Sequence, residues 1–182
     1  MRKTRAALLL LGVAAVLAAG GDRSPATADE DQNRKIAMRD DCDPDDPDWT
    51  PTGGCTLRGG DVDLAEFNGE VVSPLSLSTI GHQAWRNDPS YMKIESGESI
   101  RVSNRGGRVH TFTEVAAFGG GRVPPLNVGL APAPECAAAV NVPPGHRIEI
   151  NGLEPGNHRF QCCIHPWMRA LVKVQEDEDR DD

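Results

Sequence analysis

The chain has 182 residues, is 38% hydrophobic, and carries 19 basic against 27 acidic side chains, a formal net charge of −8. That balance excludes a nucleic-acid binder, whose phosphate contacts need a basic surface, and favours a basic or neutral partner. With 14 Pro, 19 Gly and no long amphipathic helical pattern, the composition predicts short strands joined by turns in one all-β domain.

Residues 1–21, MRKTRAALLLLGVAAVLAAGG, have a basic start, an apolar run and a small-residue exit. This is the pattern of a secretory signal. The apolar run is shorter than the about 20 residues that span a bilayer. An exported protein, periplasmic, cell-surface or secreted, is therefore expected, with no stable membrane insertion. Loss of Arg2, Lys3 and Arg5 with the signal leaves the remainder more acidic still. Residues 22–60 read as an acidic, flexible and irregular N-terminal extension. Within it, DDCDPDDPDWTPTGGC offers the carboxylates that calcium takes. Pro44 and Pro47 interrupt the run, and it lacks the Gly and closing Glu of a calcium loop. A solvated acidic loop is the expectation. Cys42 and Cys55 flank it, and an exported chain permits a bridge between them.

Residues 61–175 are expected to form the folded domain. Residues 61–67 and 70–77 alternate weakly and read as its first strands, with Pro74 marking an edge or bulge. Residues 81–91 read as a connection, with Trp85 packed and His82 on the surface. Strands are expected at 91–95 and 98–104, on either side of Ser96 and Gly97. Arg105–Gly106–Gly107–Arg108 is a turn, and VHTFTEV, residues 109–115, is the next strand. Side chains alternate along a strand, so His110 shares a face with Phe112. Residues 116–136 form a long Gly/Pro-rich loop without the pattern of a phosphate loop. Residues 137–142 and 147–150 read as a strand pair, and His146 and His158 as surface histidines near turns. Residues 176–182 form an acidic, disordered tail.

The most informative run is FQCCIHPWM, residues 160–168, which spaces Cys162, His165 and Met168 as C-x2-H-x2-M. A soft thiolate, a borderline imidazole and a weak thioether together suit copper better than zinc or calcium. Strand alternation puts Phe160 and Cys162 on one face, and Arg159, Gln161 and Cys163 on the other. The face with Phe160 is the better core face, so Cys162 points inward. One further equatorial donor must come from elsewhere, and His110 is the best candidate. Two His and one Cys with a long axial Met form an electron-transfer copper centre.

This run resembles the C-terminal ligand loop of the cupredoxins, the small blue copper proteins. The match is nearest to amicyanin-type loops, which share C-x2-H-P-x-M followed by Arg. Over about residues 90–175, with VHTF upstream, the resemblance implies a cupredoxin-like Greek-key β-sandwich. It implies one type 1 copper ion held by His110, Cys162, His165 and axial Met168, and single-electron transfer by a monomer. It also implies that the His165 edge lies nearest solvent, so that a redox partner docks transiently near His165, Pro166 and Trp167. The loop at 116–136 is then expected over the copper end, with Phe118 and Leu126 as its apolar contacts. Cupredoxins commonly carry Asn after the internal His. Here Thr111 stands in that place, and its hydroxyl is the expected substitute brace.

With Cys162 committed to metal, four Cys remain and three pairings are open. Proximity favours Cys42–Cys55, which leaves Cys136–Cys163. The competing reading is a copper-binding, delivery or storage protein without electron transfer. A copper enzyme would need a second set of His ligands, and the chain has five His with no H-x-H pair. It also has no C-x-x-C pair for thiol redox chemistry.

Overall fold

The structure is a computed structural model, and it describes residues 34–72 and 81–176. The expected signal at 1–21, the first part of the extension, residues 73–77 of an expected strand, and the tail from 177 onward lie outside the described residues.

Among the described residues, eight short strands form two four-stranded sheets. The first contains β1 (Lys35–Arg39), β2 (Arg86–Asp88), β4 (Ile100–Asn104) and β6 (Arg147–Ile150) in the order β2-β1-β4-β6. The second contains β3 (Tyr91–Glu95), β5 (Thr113–Val115), β7 (Gly156–Gln161) and β8 (Arg169–Gln175) in the order β3-β8-β7-β5. Each sheet holds one parallel pair, β1 with β4 and β3 with β8, among antiparallel neighbours.

Period-2 alternation decides which face of each strand is inside. Ile36 and Met38 of β1 and Ile100 and Val102 of β4 are buried from one sheet. Met92 and Ile94 of β3, Phe160 of β7, and Ala170, Val172 and Val174 of β8 meet them from the other, in one continuous core. Full burial of such aliphatic side chains is worth about 1.5–3 kcal/mol each. Phe112 and Phe160 stack with ring centroids 4.5 Å apart beside the C-terminal loop. The result is a two-sheet sandwich, as expected for the fold class.

Several local expectations differ from the structure. Residues 86–88, within the expected connection, form β2, and of the expected strand 109–115 only Thr113–Val115 is strand. Residues 35–39, expected within a flexible spacer, form β1, which lies between β2 and β4 and supplies core side chains. Strands are expected at 61–67 and 70–77, but Leu64–Val71 forms helix α1, which takes up most of the first and the start of the second. Asp63 caps it by accepting the Glu66 N–H at 2.7 Å, and Leu64, Phe67 and Val71 recur at helical spacing on the packed face. Residues 137–142 do not pair with β6. The pairing of β6 is with β4, and Val142 instead makes an isolated bridge to His110.

Two carboxylates of the acidic run around residue 46 accept from backbone N–H groups. Asp46 accepts from the N–H of Asp48 and of Leu64, and Asp43 accepts from Asp45. Disulfides join Cys42 to Cys55 and Cys136 to Cys163, and Cys162 is the free cysteine. The loop at 116–136 lies against the outer face of the second sheet. Gln161 reaches the backbone of Gly119 and Gly120 there, and Phe118 packs near the Cys136–Cys163 bridge. Leu126 packs against the main core.

Candidate metal centre

Three of the four expected donors converge. His110 enters through its bridge to Val142, with backbone bonds of 3.2 and 2.8 Å in the two directions. Cys162 follows directly after β7, and His165 lies in the tight turn before β8. That turn is closed by two backbone bonds of 2.9 Å, Cys162 N–H to Met168 O and Met168 N–H to His165 O. Cys162 Sγ lies 3.9 Å from His110 Nδ1 and 3.7 Å from His165 Nδ1. One donor atom from each of the three lies within 4.8 Å of the others. All three side chains are buried. A metal bound at roughly 2.0–2.3 Å, with trigonal angles, would space S and N donors roughly 3.7 Å apart, so the trio has the span of a metal site. Met168 is also fully buried and belongs to the same core.

The register agrees with the choice of Cys162 over Cys163. Cys162 belongs to the inner core with Phe160. Cys163 faces the other way, into the small cluster of Val115, Ala133 and Cys136. Thr111 is the brace expected of it. Its N–H points at Cys162 Sγ at 3.3 Å, and its hydroxyl accepts the Cys163 N–H at 2.7 Å. The His165 N–H approaches the same sulfur at 3.5 Å. Thr111→Val should leave the buried Cys163 N–H unpaired and cost about 1–3 kcal/mol in urea unfolding. Unchanged unfolding would show that this bond adds nothing to the fold.

The largest contributor missed by sequence reasoning is Asp40. Its side chain is fully buried, and its Oδ2 lies 2.7 Å from His110 Nε2. It also accepts from the N–H of Gly107 at 2.8 Å and of Arg108 at 3.0 Å. A Cβ at Gly106 would fall 2.0 Å from Asp40 Oδ2, so the Gly-Gly turn is needed for close approach. A Cβ at Gly107 would fall 2.7 Å from both sulfurs of the Cys42–Cys55 bridge. The turn at 105–108 is therefore shaped around the carboxylate and the first disulfide. No spacing in the sequence marks Asp40, which stands 70 residues from His110 in an acidic stretch.

The electrostatics suit a cation. Burial alone would push the His110 imidazole down, but the contacts with Asp40 and Cys162 raise it to about 9. Burial would raise Asp40, while the His110 and backbone bonds hold it below the usual carboxylate value. Burial would likewise raise the Cys162 thiol, and the two histidines bring it well below its ordinary value. His165 is pushed down, first by burial. These contacts favour a thiolate on Cys162 beside the imidazole of His110, and binding a cation would displace a proton from the coordinating nitrogen.

An aromatic shell covers His165. Its ring centroid lies 5.5 Å from Trp167 and 6.3 Å from both Phe67 and Trp85. A Cβ at Gly81 would overlap the Trp167 ring at 2.0 Å, so the segment leading to Trp85 is seated on that ring. His165, Pro166 and Trp167 are all buried. The expected solvent-facing docking edge is therefore corrected: α1 and residues 81–85 add a layer over it. His82, expected on the surface, is buried in that layer at 4% exposure.

Two mixed four-stranded sheets, with a His–Cys–His group beside the last hairpin, match the arrangement expected from the sequence. The fold is cupredoxin-like. No protein-family model matches the chain, and no curated protein matches it by sequence. A purple cupredoxin from Nitrosopumilus maritimus is similar at TM-score 0.41 and 16% identity, over 78% of this chain and 98% of that one. A reduced variant of amicyanin is similar at TM-score 0.35 and 19% identity, over 50% and 73%. A copper-containing nitrite reductase from Thermus scotoductus gives TM-score 0.35 and 20% identity, over 50% of this chain and 20% of that one. The ligand assignments rest on this chain's own side chains.

Proposed function

We propose that the protein is an extracytoplasmic single-electron carrier with one type 1 copper ion. His110, Cys162 and His165 would hold the ion, with Met168 as the axial donor. The observation that carries this reading is the convergence of two Nδ1 atoms on the buried sulfur of Cys162, while the other four cysteines are paired. When bound, copper supplies a one-electron couple.

The chain supplies the rest. Asp40 keeps a proton on His110 Nε2, which leaves Nδ1 free to face the sulfur. The N–H groups of Thr111 and His165 point at the thiolate and disperse its charge, one of the factors that tune such a site's potential. The sandwich core and the aromatic shell exclude water and hold one geometry. A carrier is favoured over an enzyme because His165, the donor expected nearest solvent, is 5% exposed. A catalytic metal keeps an open position for its substrate. Redox partners would meet the layer above His165 rather than His165, Pro166 and Trp167 themselves. Export is supported by residues 1–21 and by the two disulfides. Among the described residues no helix is long and apolar enough to cross a membrane.

Voltammetry of the copper-loaded protein tests the reading. One reversible one-electron wave is expected. Met168→Leu should keep copper and raise the potential, because a weak donor that favours Cu(II) is lost. An unchanged potential would remove Met168 from the axial position.

A further inference from the structure

A second group of donors lies on the layer that covers His165 and shares no residue with the first. Glu66 and Glu70 stand one turn apart on α1, so their side chains emerge on the same face. His82 packs beside them. Its ring stacks on Phe67, with centroids 5.8 Å apart and planes at 17°, and lies 4.8 Å from the Trp85 ring. One donor atom each from Glu66, Glu70 and His82 lies within 4.8 Å of the others.

The decisive feature is the state of His82. The residue is 4% exposed, and its Nε2 is buried without a hydrogen-bond partner. The nearby Glu70 Oε2 is 3.7 Å away, beyond hydrogen-bond reach. A buried polar atom left unpaired costs about 1–3 kcal/mol. Here it is held against two carboxylates by packing from Phe67 and Trp85. Exposed glutamates alone would mean nothing. A buried, unsatisfied imidazole nitrogen directed at them points to a ligand.

We propose that Glu66, Glu70 and His82 bind a divalent transition-metal cation of the zinc class. One imidazole nitrogen and two carboxylate oxygens form a borderline donor set that such a cation accepts, with solvent completing the sphere at the exposed side. Calcium and magnesium prefer oxygen throughout, and Cu(I) prefers sulfur. The two carboxylates balance the cation's charge. On binding, Nε2 gives up its proton and Nδ1 takes one. The cost is the contact in which Nδ1 accepts the Ala84 N–H, long at 3.3 Å. The cation would tie α1 to the segment carrying Trp85, and so fasten the aromatic layer over His165.

Equilibrium dialysis of the copper-loaded protein against buffered Zn2+ tests this. One zinc per chain is expected, with the copper content and visible absorbance unchanged. Glu66→Gln and Glu70→Gln should each weaken zinc binding at least about tenfold, and His82→Gln should abolish it. The glutamates are exposed, so their variants remain informative if His82→Gln fails to fold. Absence of bound zinc, equal binding by the Glu66→Gln/Glu70→Gln double variant, or zinc uptake only with loss of copper would each overturn the proposal.

Discussion

Asp40→Ala is expected to weaken copper binding about 10–100-fold, the usual effect of removing the partner of a ligating histidine. It should also destabilise the metal-free protein by about 3–5 kcal/mol, as loss of one member of a buried charged pair does. The carboxylate satisfies His110 Nε2 and the N–H groups of Gly107 and Arg108 at once. Its removal would leave all three buried or half-buried donors without a partner. The ring of His110 would also lose the contact that sets its tautomer. Arg108 would feel the change as well. Its guanidinium lies over Trp49 at 4.6 Å and donates to Thr52 O at 2.7 Å, which links the first disulfide loop to the His110 segment. Asp40→Asn keeps the shape but removes the charge, so it should retain the colour of the copper protein at reduced affinity. Competition titration with a Cu(I) chelator measures the first effect and urea unfolding the second. Equal copper affinity in wild type and Asp40→Ala would show that His110 needs no such brace.

Cys162→Ser should abolish the intense thiolate-to-copper absorption, and Cys163→Ser should preserve it. The two residues are adjacent but serve opposite faces of the second sheet. Cys162 lies among the inner core, 3.7 and 3.9 Å from the two imidazoles. Cys163 is bonded to Cys136, beneath the loop on the outer face. Loss of that bridge in Cys163→Ser should cost about 2–5 kcal/mol of stability, read from thermal or urea melts. Loss of colour in Cys163→Ser, with colour retained in Cys162→Ser, would overturn the ligand assignment.

What could be read from the sequence followed the range of the interactions. Cys162, His165 and Met168 fall within seven residues, so one loop brings them together and their spacing is visible. Period-2 alternation sets Cys162 and Cys163 apart because that relation is local, whereas His110 and Phe112 lie just before β5 and owe their burial to contacts with other elements. The disulfide preference rested on chain proximity for Cys42 and Cys55, and both expected bridges are present. Asp40 was invisible because its role depends on a contact across 70 residues, and one aspartate in an acidic run looks like any other. Strand β1 was hidden for a similar reason. KIAMR is short and flanked by charges, and it becomes a strand because β2 and β4 satisfy its two edges. The signals of helix α1 are present in the sequence beside the weak alternation that suggests strands. Asp63 followed by Glu66 marks a helix start, and Leu64, Phe67 and Val71 keep helical spacing. His165 is covered by Phe67 of that helix together with Trp85 and Trp167, and the first two are contacts across the chain that local spacing does not show.

Binding of copper by the Cys162 thiolate in a type 1 site would be visible in the absorption spectrum of the copper-loaded, oxidised protein. An intense blue band from thiolate-to-copper charge transfer, at one copper per chain, is expected. A pale solution that still holds one copper per chain would contradict it, and would favour a copper delivery or storage protein instead.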